Sequence, residues 1–349
     1  MKVKIGIIGA GKIANSHARS YLSLSNVQIL AVCDINKEAA KNLALEYSIP
    51  KVYTDYHDML ADKDIDAVSI CTPNYLHAPI SIDSLEAGKH VLCEKPVAMN
   101  AVEAEKVRRK VKESRKVFVI GHWLPHTPEA KILKKMIDSQ KLGEIYFVKA
   151  GWIRKFMFPD PRWYSVKDKS GGGPLMDIGT HIIDLTLWMM NYPDPSYVLS
   201  SVYTCVAPKQ LRNLYNDLDS VYNVEDMAAA MIKLKNGCTV MLETSWACYI
   251  EREKIYLNIY GTEGGAEIFP STRGGEPFPL RIFSDEERTA IIKIPDLTRM
   301  ERIVPVTYFI DCIVHGDDPT IATIDGGVKV MRIVDAIYES AKRNESIHL

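Results

Sequence analysis

A short β-branched run, Val3 to Ile8, meets Gly9-Ala10-Gly11-Lys12-Ile13-Ala14 and then a stretch of helical periodicity around Ile13 to Leu24. That junction constrains the fold more than anything else in the chain. Gly9 permits a tight turn, Gly11 removes a side chain so that a charged group can approach the backbone, and Ala14 keeps the helix close to the strand. The helix N-terminus adds free N–H groups and a partial positive charge, which suits phosphate. Asp34 ends a second apolar run, Val27 to Cys33, at the ~20-residue spacing expected of a carboxylate that accepts from ribose hydroxyls. Strand, turn, helix and acidic residue together predict a dinucleotide-binding βαβ unit. The competing reading is a glycine turn used only for packing. Cofactor contacts are expected at Gly9, Gly11, Lys12, Ile13 and Asp34. A carboxylate at Asp34 repels a 2′-phosphate, and Ile35, Asn36 and Lys37 bring no arginine, so NAD is expected rather than NADP, with Lys37 the one residue that speaks for NADP.

The alternation continues. Further strands are predicted at Val52 to Tyr53, Ala67 to Cys71, His90 to Cys93 and Val117 to Ile120, with helices at Lys37 to Tyr47, Ala78 to Ala87 and Ala101 to Ser114. Strands apolar throughout, separated by helices, predict a parallel sheet covered on both faces. After Gly121 the pattern changes to longer alternating runs: Ile145 to Ile153, Val198 to Cys205, Met227 to Leu234, Thr239 to Tyr249 and Ile255 to Tyr260. Turn signals such as Lys235-Asn236-Gly237 separate them, so they read as antiparallel. The expected fold is an α/β chain. Residues 1–121 form a Rossmann domain, and residues 122–349 an α+β domain with a large, mostly antiparallel open sheet. The C-terminal helices are expected to pack back on the first domain.

With 43 Lys and Arg against 44 Asp and Glu, no basic field is available for nucleic acid or anionic membrane. A small-molecule partner fits better. The seven cysteines form no C-x-x-C pair and several lie in apolar runs, which suits reduced thiols in a cytoplasmic protein and leaves no clustered metal ligands. No apolar stretch approaches the ~18 residues of a membrane span, and the apolar N-terminal run is too short for a signal peptide.

Two more strand ends carry polar residues: Thr72-Pro73-Asn74-Tyr75-Leu76-His77 and Glu94-Lys95-Pro96. Ligands of open parallel sheets bind beyond the carboxyl ends of the strands, which places Thr72, Pro73, Asn74, His77, Glu94 and Lys95 at the same edge as the glycine turn, as expected cofactor contacts. These pieces, with Gly171-Gly172-Gly173-Pro174-Leu175-x-Asp177-x-Gly179-x-His181, resemble the glucose–fructose oxidoreductase and inositol dehydrogenase superfamily over nearly the whole chain. The resemblance implies an oligomeric, nicotinamide-dependent sugar or polyol dehydrogenase. It implies a cis Lys95–Pro96 bond and places Lys95, Asp177 and His181 around the reacting centre. It departs at Gly121-His122-Trp123-Leu124-Pro125-His126, where many relatives carry an Arg-Phe pair. Pro125 and His126 stand there instead, and His122 is expected to contact the nicotinamide end.

Met176 to Met190 is predicted as one helix on which Asp177, His181, Asp184 and Trp188 share a face at i, i+4, i+7 and i+11. A buried His satisfied by a nearby Asp would look the same. With the lysine present, His181 is expected as general base, Lys95 as donor to the developing alkoxide, and Asp177 as the group that holds a neighbouring hydroxyl or orients the imidazole. The roles of Lys95 and His181 are exchangeable. Asp184 either orients His181 or binds backbone. The aromatic stretch from Lys155 to Tyr164 offers Arg162 and Trp163 as substrate contacts, or simply packs. Two other classes stay open: an NAD-retaining glycoside hydrolase or lyase that works by transient oxidation and elimination, and a non-catalytic dinucleotide sensor. The expected partners are a sugar or polyol substrate and further copies of the chain, as a homodimer or homotetramer.

Overall fold

The computed structural model describes residues 2–157, 161–214, 222–268, 280–285 and 305–349. Their contacts separate two compact units, Met1–Trp123 with Ile303–Val328, and Leu124–Arg302 with Lys329–Leu349. The first unit thus runs unbroken to Trp123 and takes in a late segment besides. The second unit is also not one continuous run, because a late segment belongs to the first. Its attachments are specific: Ile120 N–H donates to Ala322 O at 3.0 Å, Arg108 pairs with Asp325 at 3.2 Å, and Gly327 packs so closely on Ile120 that a Cβ there would lie 2.4 Å from its side chain.

The first unit holds β1 (Val3–Ile8), β2 (Val27–Cys33), β3 (Lys51–Tyr53), β4 (Ala67–Ile70), β5 (His90–Cys93) and β6 (Phe118–Ile120), in spatial order 3-2-1-4-5-6 with every pair parallel. This is the doubly wound order, in which the strand order reverses between β1 and β4. Helix Lys12–Leu22 turns Ala14, His17, Ala18 and Tyr21 inward, the i, i+3, i+4, i+7 stripe of a surface helix. Helix Lys37–Tyr47 is capped by Asn36, whose side chain accepts from the N–H groups of Glu38 and Ala39, satisfying donors the helix leaves open.

The second unit holds β7 (Ile145–Ile153), β8 (Pro195–Tyr203), β9 (Met227–Leu234), β10 (Thr239–Ser245), β11 (Lys254–Gly261), β12 (Gly264–Ile268), β13 (Arg281–Ser284) and β14 (Ile347–His348), in order 13-12-11-7-10-9-8-14. All its pairs are antiparallel except β7 with β10. Those two strands are far apart in sequence, so a crossover can join them in parallel. One face is buried, as the alternation of Ala228, Ala230, Ile232 and Leu234 along β9 shows. Helix Ile324–Arg343 is tied to β8 where Ser200 donates from its hydroxyl to Ile337 O and from its N–H to Ser340 Oγ. No helix among the described residues is long and apolar enough to cross a membrane.

Candidate active site

In the first unit, Gly9, Asp34, Thr72, Lys95 and His122 each follow the carboxyl end of a strand: β1, β2, β4, β5 and β6 respectively. Gly9 sits at φ +96°, and a Cβ there would lie 2.4 Å from Cys71 O, whereas a Cβ on Gly11 would meet nothing within 4 Å. The space above Gly11 is the cradle that a pyrophosphate needs. Asp34 Oδ2 accepts from Ala10 N–H at 2.7 Å and Oδ1 from Asn36 N–H at 2.8 Å. The carboxylate is thus aimed by the backbone on both sides, and each oxygen keeps a second lone pair. Lys12, Ile13 and Ile35 are exposed along this edge, Ile35 by 94%. Thr72 Oγ1 is buried with no hydrogen-bond partner among the described residues, a group that a polar cofactor atom would satisfy. These features fit NAD.

The two glycines separate folding from binding. Gly9→Ala combines a disfavoured φ with a backbone clash, so it is expected to destabilise the fold by about 2 kcal/mol or more. Gly11→Ala should leave the melting temperature unchanged and weaken NAD about tenfold or more, as a methyl fills the cradle. Thermal melts with calorimetric NAD titration check both. Equal stability loss in the two variants would contradict the assignment.

His77 and Glu94, expected as cofactor contacts, face into the protein. The His77 ring lies 2.6 Å from Pro96 O at Nδ1 and 2.8 Å from Thr72 O at Nε2. It joins the Thr72 turn to the Lys95 turn rather than presenting a nitrogen to a ligand, and burial holds its pKa below the usual imidazole range. Glu94 lies against His17, with Nε2 to Oε1 at 3.0 Å, and its Oε2 accepts from Lys95 N–H at 3.3 Å. The Lys95–Pro96 bond is cis. Asn74 and His122 are buried and Pro73 is half-buried.

In the second unit, the predicted single helix is two elements. A π-helical turn, Leu175–Gly179, carries Asp177, and an α-helix, Thr180–Met189, carries His181. The wide turn breaks the simple 3.6-residue phase, as π turns at functional sites often do. Buried Glu225 holds the glycine run ahead of it. Its carboxylate accepts from Gly173 N–H at 2.9 Å, Leu175 N–H at 3.1 Å and Tyr338 O–H at 3.0 Å. Asp177 Oδ2 accepts from Trp246 Nε1–H at 2.9 Å and Arg154 at 3.3 Å. Glu253 in turn accepts from Arg154 and Trp152, at 3.1 and 2.7 Å. The Trp152 ring centroid lies 6.0 Å from that of His181. Asp177 and His181 are thus buried and held within one polar and aromatic cluster.

Two expectations on this helix are corrected. Asp184 neither orients His181 nor binds backbone: it is fully buried, accepts from Tyr192 O–H at 2.8 Å, and leaves Oδ2 without a partner among the described residues. Trp188 packs under Lys134, whose ammonium sits 5.9 Å from its ring. Both lie further along the helix than Asp177, and each has its own partner, Tyr192 and Lys134 respectively. Trp163 stacks on Tyr164 at 3.7 Å, and Tyr164 meets Trp246 edge-on at 6.4 Å. The Arg162 side chain lies outside the described residues.

Sequence reasoning missed His17, Arg154, Glu225, Trp246 and Glu253. His17 had a signal, a histidine on an otherwise apolar inward stripe. The other four come from separate strands and loops, and no local spacing links them.

Residues 3–122 match an oxidoreductase family with an NAD-binding Rossmann fold, and residues 131–267 match the Gfo/Idh/MocA C-terminal domain. The chain is 30% identical to the D-glucoside 3-dehydrogenase of Escherichia coli K12 over 356 residues, covering 99% of this chain and 97% of that protein. It is 28% identical to an inositol 2-dehydrogenase of Salmonella typhimurium over 271 residues, covering 77% and 74%. Among solved structures, a levoglucosan dehydrogenase in complex with NADH and levoglucosan shares the fold, with a TM-score of 0.87 at 23% identity over 100% of this chain and 99% of that one. With both of its parts matched and full-length similarity to a member, this chain belongs to the Gfo/Idh/MocA family of NAD-binding oxidoreductases.

Proposed function

We propose that this protein is an NAD-dependent dehydrogenase that oxidises a secondary hydroxyl of a sugar, a glycoside or a cyclic polyol. The observation that carries the reading is that the glycine turn, Asp34, Thr72 and Lys95 all end strands of one parallel sheet, so the residues suited to NAD and the reactive lysine share an edge. The names of the glucoside and inositol dehydrogenase relatives point to the substrate class. Bound NAD supplies the acceptor for the hydride that leaves the carbinol carbon. The hydroxyl must lose its proton as that happens. His181 takes it as general base, and Lys95 donates to the same oxygen and stabilises its developing charge; these two roles are exchangeable. Asp177, aimed by Arg154 and Trp246, holds a neighbouring hydroxyl or orients the imidazole. Trp163 offers a ring face to the sugar, with Arg162 beside it in sequence. Asp34 followed by exposed Ile35 favours NAD over NADP, since neither can pair with a 2′-phosphate.

A panel of inositols, aldoses and glucosides, followed by NADH absorbance with NAD and NADP compared, tests the reading. NADH formation on one class of substrate is expected. Substrate consumption without net NADH would instead identify a hydrolase or lyase that returns its hydride.

The open face of the second sheet supports self-association. Leu199, Met231 and Met241 stand in register across β8, β9 and β10, and Leu199 and Met241 are 45% and 43% exposed. An apolar row of this kind suits a contact between copies, as a homodimer or homotetramer. Met241→Lys is expected to lower the mass measured by sedimentation. An unchanged mass would move the contact elsewhere. Seven unpaired cysteines suit the reducing cytoplasm.

A further inference from the structure

We propose that His17 is a positioning residue for Lys95: held between Ser69 and Glu94, its imidazolium fixes the Glu94 carboxylate beside the lysine and offsets its charge. The proposal rests on the reading of Lys95 as a catalytic group.

The inward stripe of helix Lys12–Leu22 would be expected to be apolar, yet it buries His17 and Tyr21, 5% and 0% exposed. Burying polar groups there is unfavourable unless they are bonded, and here they are. Ser69 Oγ, in the middle of the sheet on β4, lies 2.9 Å from both His17 Nδ1 and Tyr21 Oη. His17 Nε2 reaches Glu94 at 3.0 Å. Burial disfavours a charged imidazole, but contacts with Cys71 and Glu94 outweigh it and bring the pKa up to about 10. Glu94 is drawn below the usual carboxylate range: burial opposes its charge, while His17, Lys95 and His77 favour it.

A buried ion pair is weak evidence for a stabilising role, since an apolar pair of similar size often serves as well. Its location is more informative. Glu94 is the residue before Lys95, its Oε2 accepts from the Lys95 N–H, and Gly121 closes the other side, where a Cβ would lie 2.7 Å from Oε1. The carboxylate has almost no room to move. Left uncompensated, it would hold the Lys95 ammonium tightly and oppose any loss of its proton. His17 supplies the opposing charge. The titratable groups around the pair are Tyr21 on the same helix, Cys71 after β4, His77 at the start of helix His77–Glu86, and Lys95.

This arrangement predicts shifts of opposite sign. His17→Gln keeps a donor but removes the cation, so the ionisation of Lys95 in the kcat/KM–pH profile should move up by about one pH unit. Its kcat at neutral pH should fall about tenfold while the KM for NAD stays within about threefold. Glu94→Gln keeps the shape but removes the carboxylate, so the same ionisation should move down. Lys95→Ala is measured alongside on the full-length protein. Opposite shifts support the proposal. Shifts of the same sign, or none, in folded variants that bind NAD overturn it, because a merely structural pair would lower stability without moving that ionisation. If His17→Gln does not fold, His17→Asn, which also lacks the cation, is measured in its place, and an ionisation of Lys95 that stays or moves down there overturns the proposal. If Lys95→Ala keeps its turnover, the reading of Lys95 fails first and this proposal with it, a result the two neighbouring variants cannot imitate.

Discussion

Lys95→Ala is expected to lower kcat by about 10²- to 10⁴-fold, the range for loss of a positioned proton donor or acceptor. Lys95 follows β5 and is half-buried, and its backbone is anchored on both sides. Glu94 accepts its N–H at 3.3 Å, and His77 reaches the carbonyl of the next residue, Pro96, at 2.6 Å. Removing the side chain therefore deletes the ammonium without dismantling the turn. The NAD cradle at Gly11 and the Asp34 carboxylate are untouched, so the Kd for NAD should change by less than about threefold. Steady-state kinetics on the best substrate of the panel, with calorimetric titration of NAD, separate the two effects. Near-normal turnover would remove Lys95 from the reaction. A matching loss of NAD affinity would make it a binding residue only.

Asp184→Asn should remove a large pH dependence from folding. Burial pushes the Asp184 carboxyl up to about 7 from an ordinary 3.8, opposed only in part by the bond from Tyr192. The folded state therefore holds a proton that the unfolded chain has already lost. For an acid with a raised pKa the sign is unfavourable at high pH: as pH rises from about 4 toward 7 the stability margin of the protonated carboxyl is progressively lost, and above about 7 the full cost of ionising it is borne by the fold. By linkage the total is on the order of 4 kcal/mol. An Asn at this position cannot ionise. Denaturant unfolding of the two proteins should agree best near pH 4 and diverge as pH rises, with the variant the more stable above pH 7. Parallel pH profiles would show that Asp184 stays ionised, satisfied by a group its surroundings do not reveal. Asp184 is also the clearest case in which helical spacing misled. At i+7 from Asp177 it looked like part of the site, but it bonds to Tyr192 instead.

The same contrast runs through the site. The glycine turn, Asp34, the Thr72 segment and Glu94-Lys95-Pro96 were legible because each is a contiguous piece whose chemistry follows from its place after a strand. The cluster on Asp177 was not, because its oxygen is held by Trp246 and Arg154, 69 and 23 residues away. Glu225 and Tyr338 hold the glycine run from 52 and 113 residues apart in their mutual contacts. His77 and Glu94 were correctly placed at the sheet edge, but sequence could not show that their polar atoms turn inward.

The chain alone therefore determined which backbone positions must be glycine, which strands are buried on both faces, and which motifs end them, because these follow from local sterics and hydrophobic periodicity. The tertiary structure decided which polar side chains meet, since a hydrogen bond depends on distance and direction across the fold and not on spacing along it. His17 shows the difference most plainly. In sequence it is a histidine on an apolar stripe; in the folded first unit it is the cation beside Glu94, one residue from the lysine on which the proposed chemistry depends.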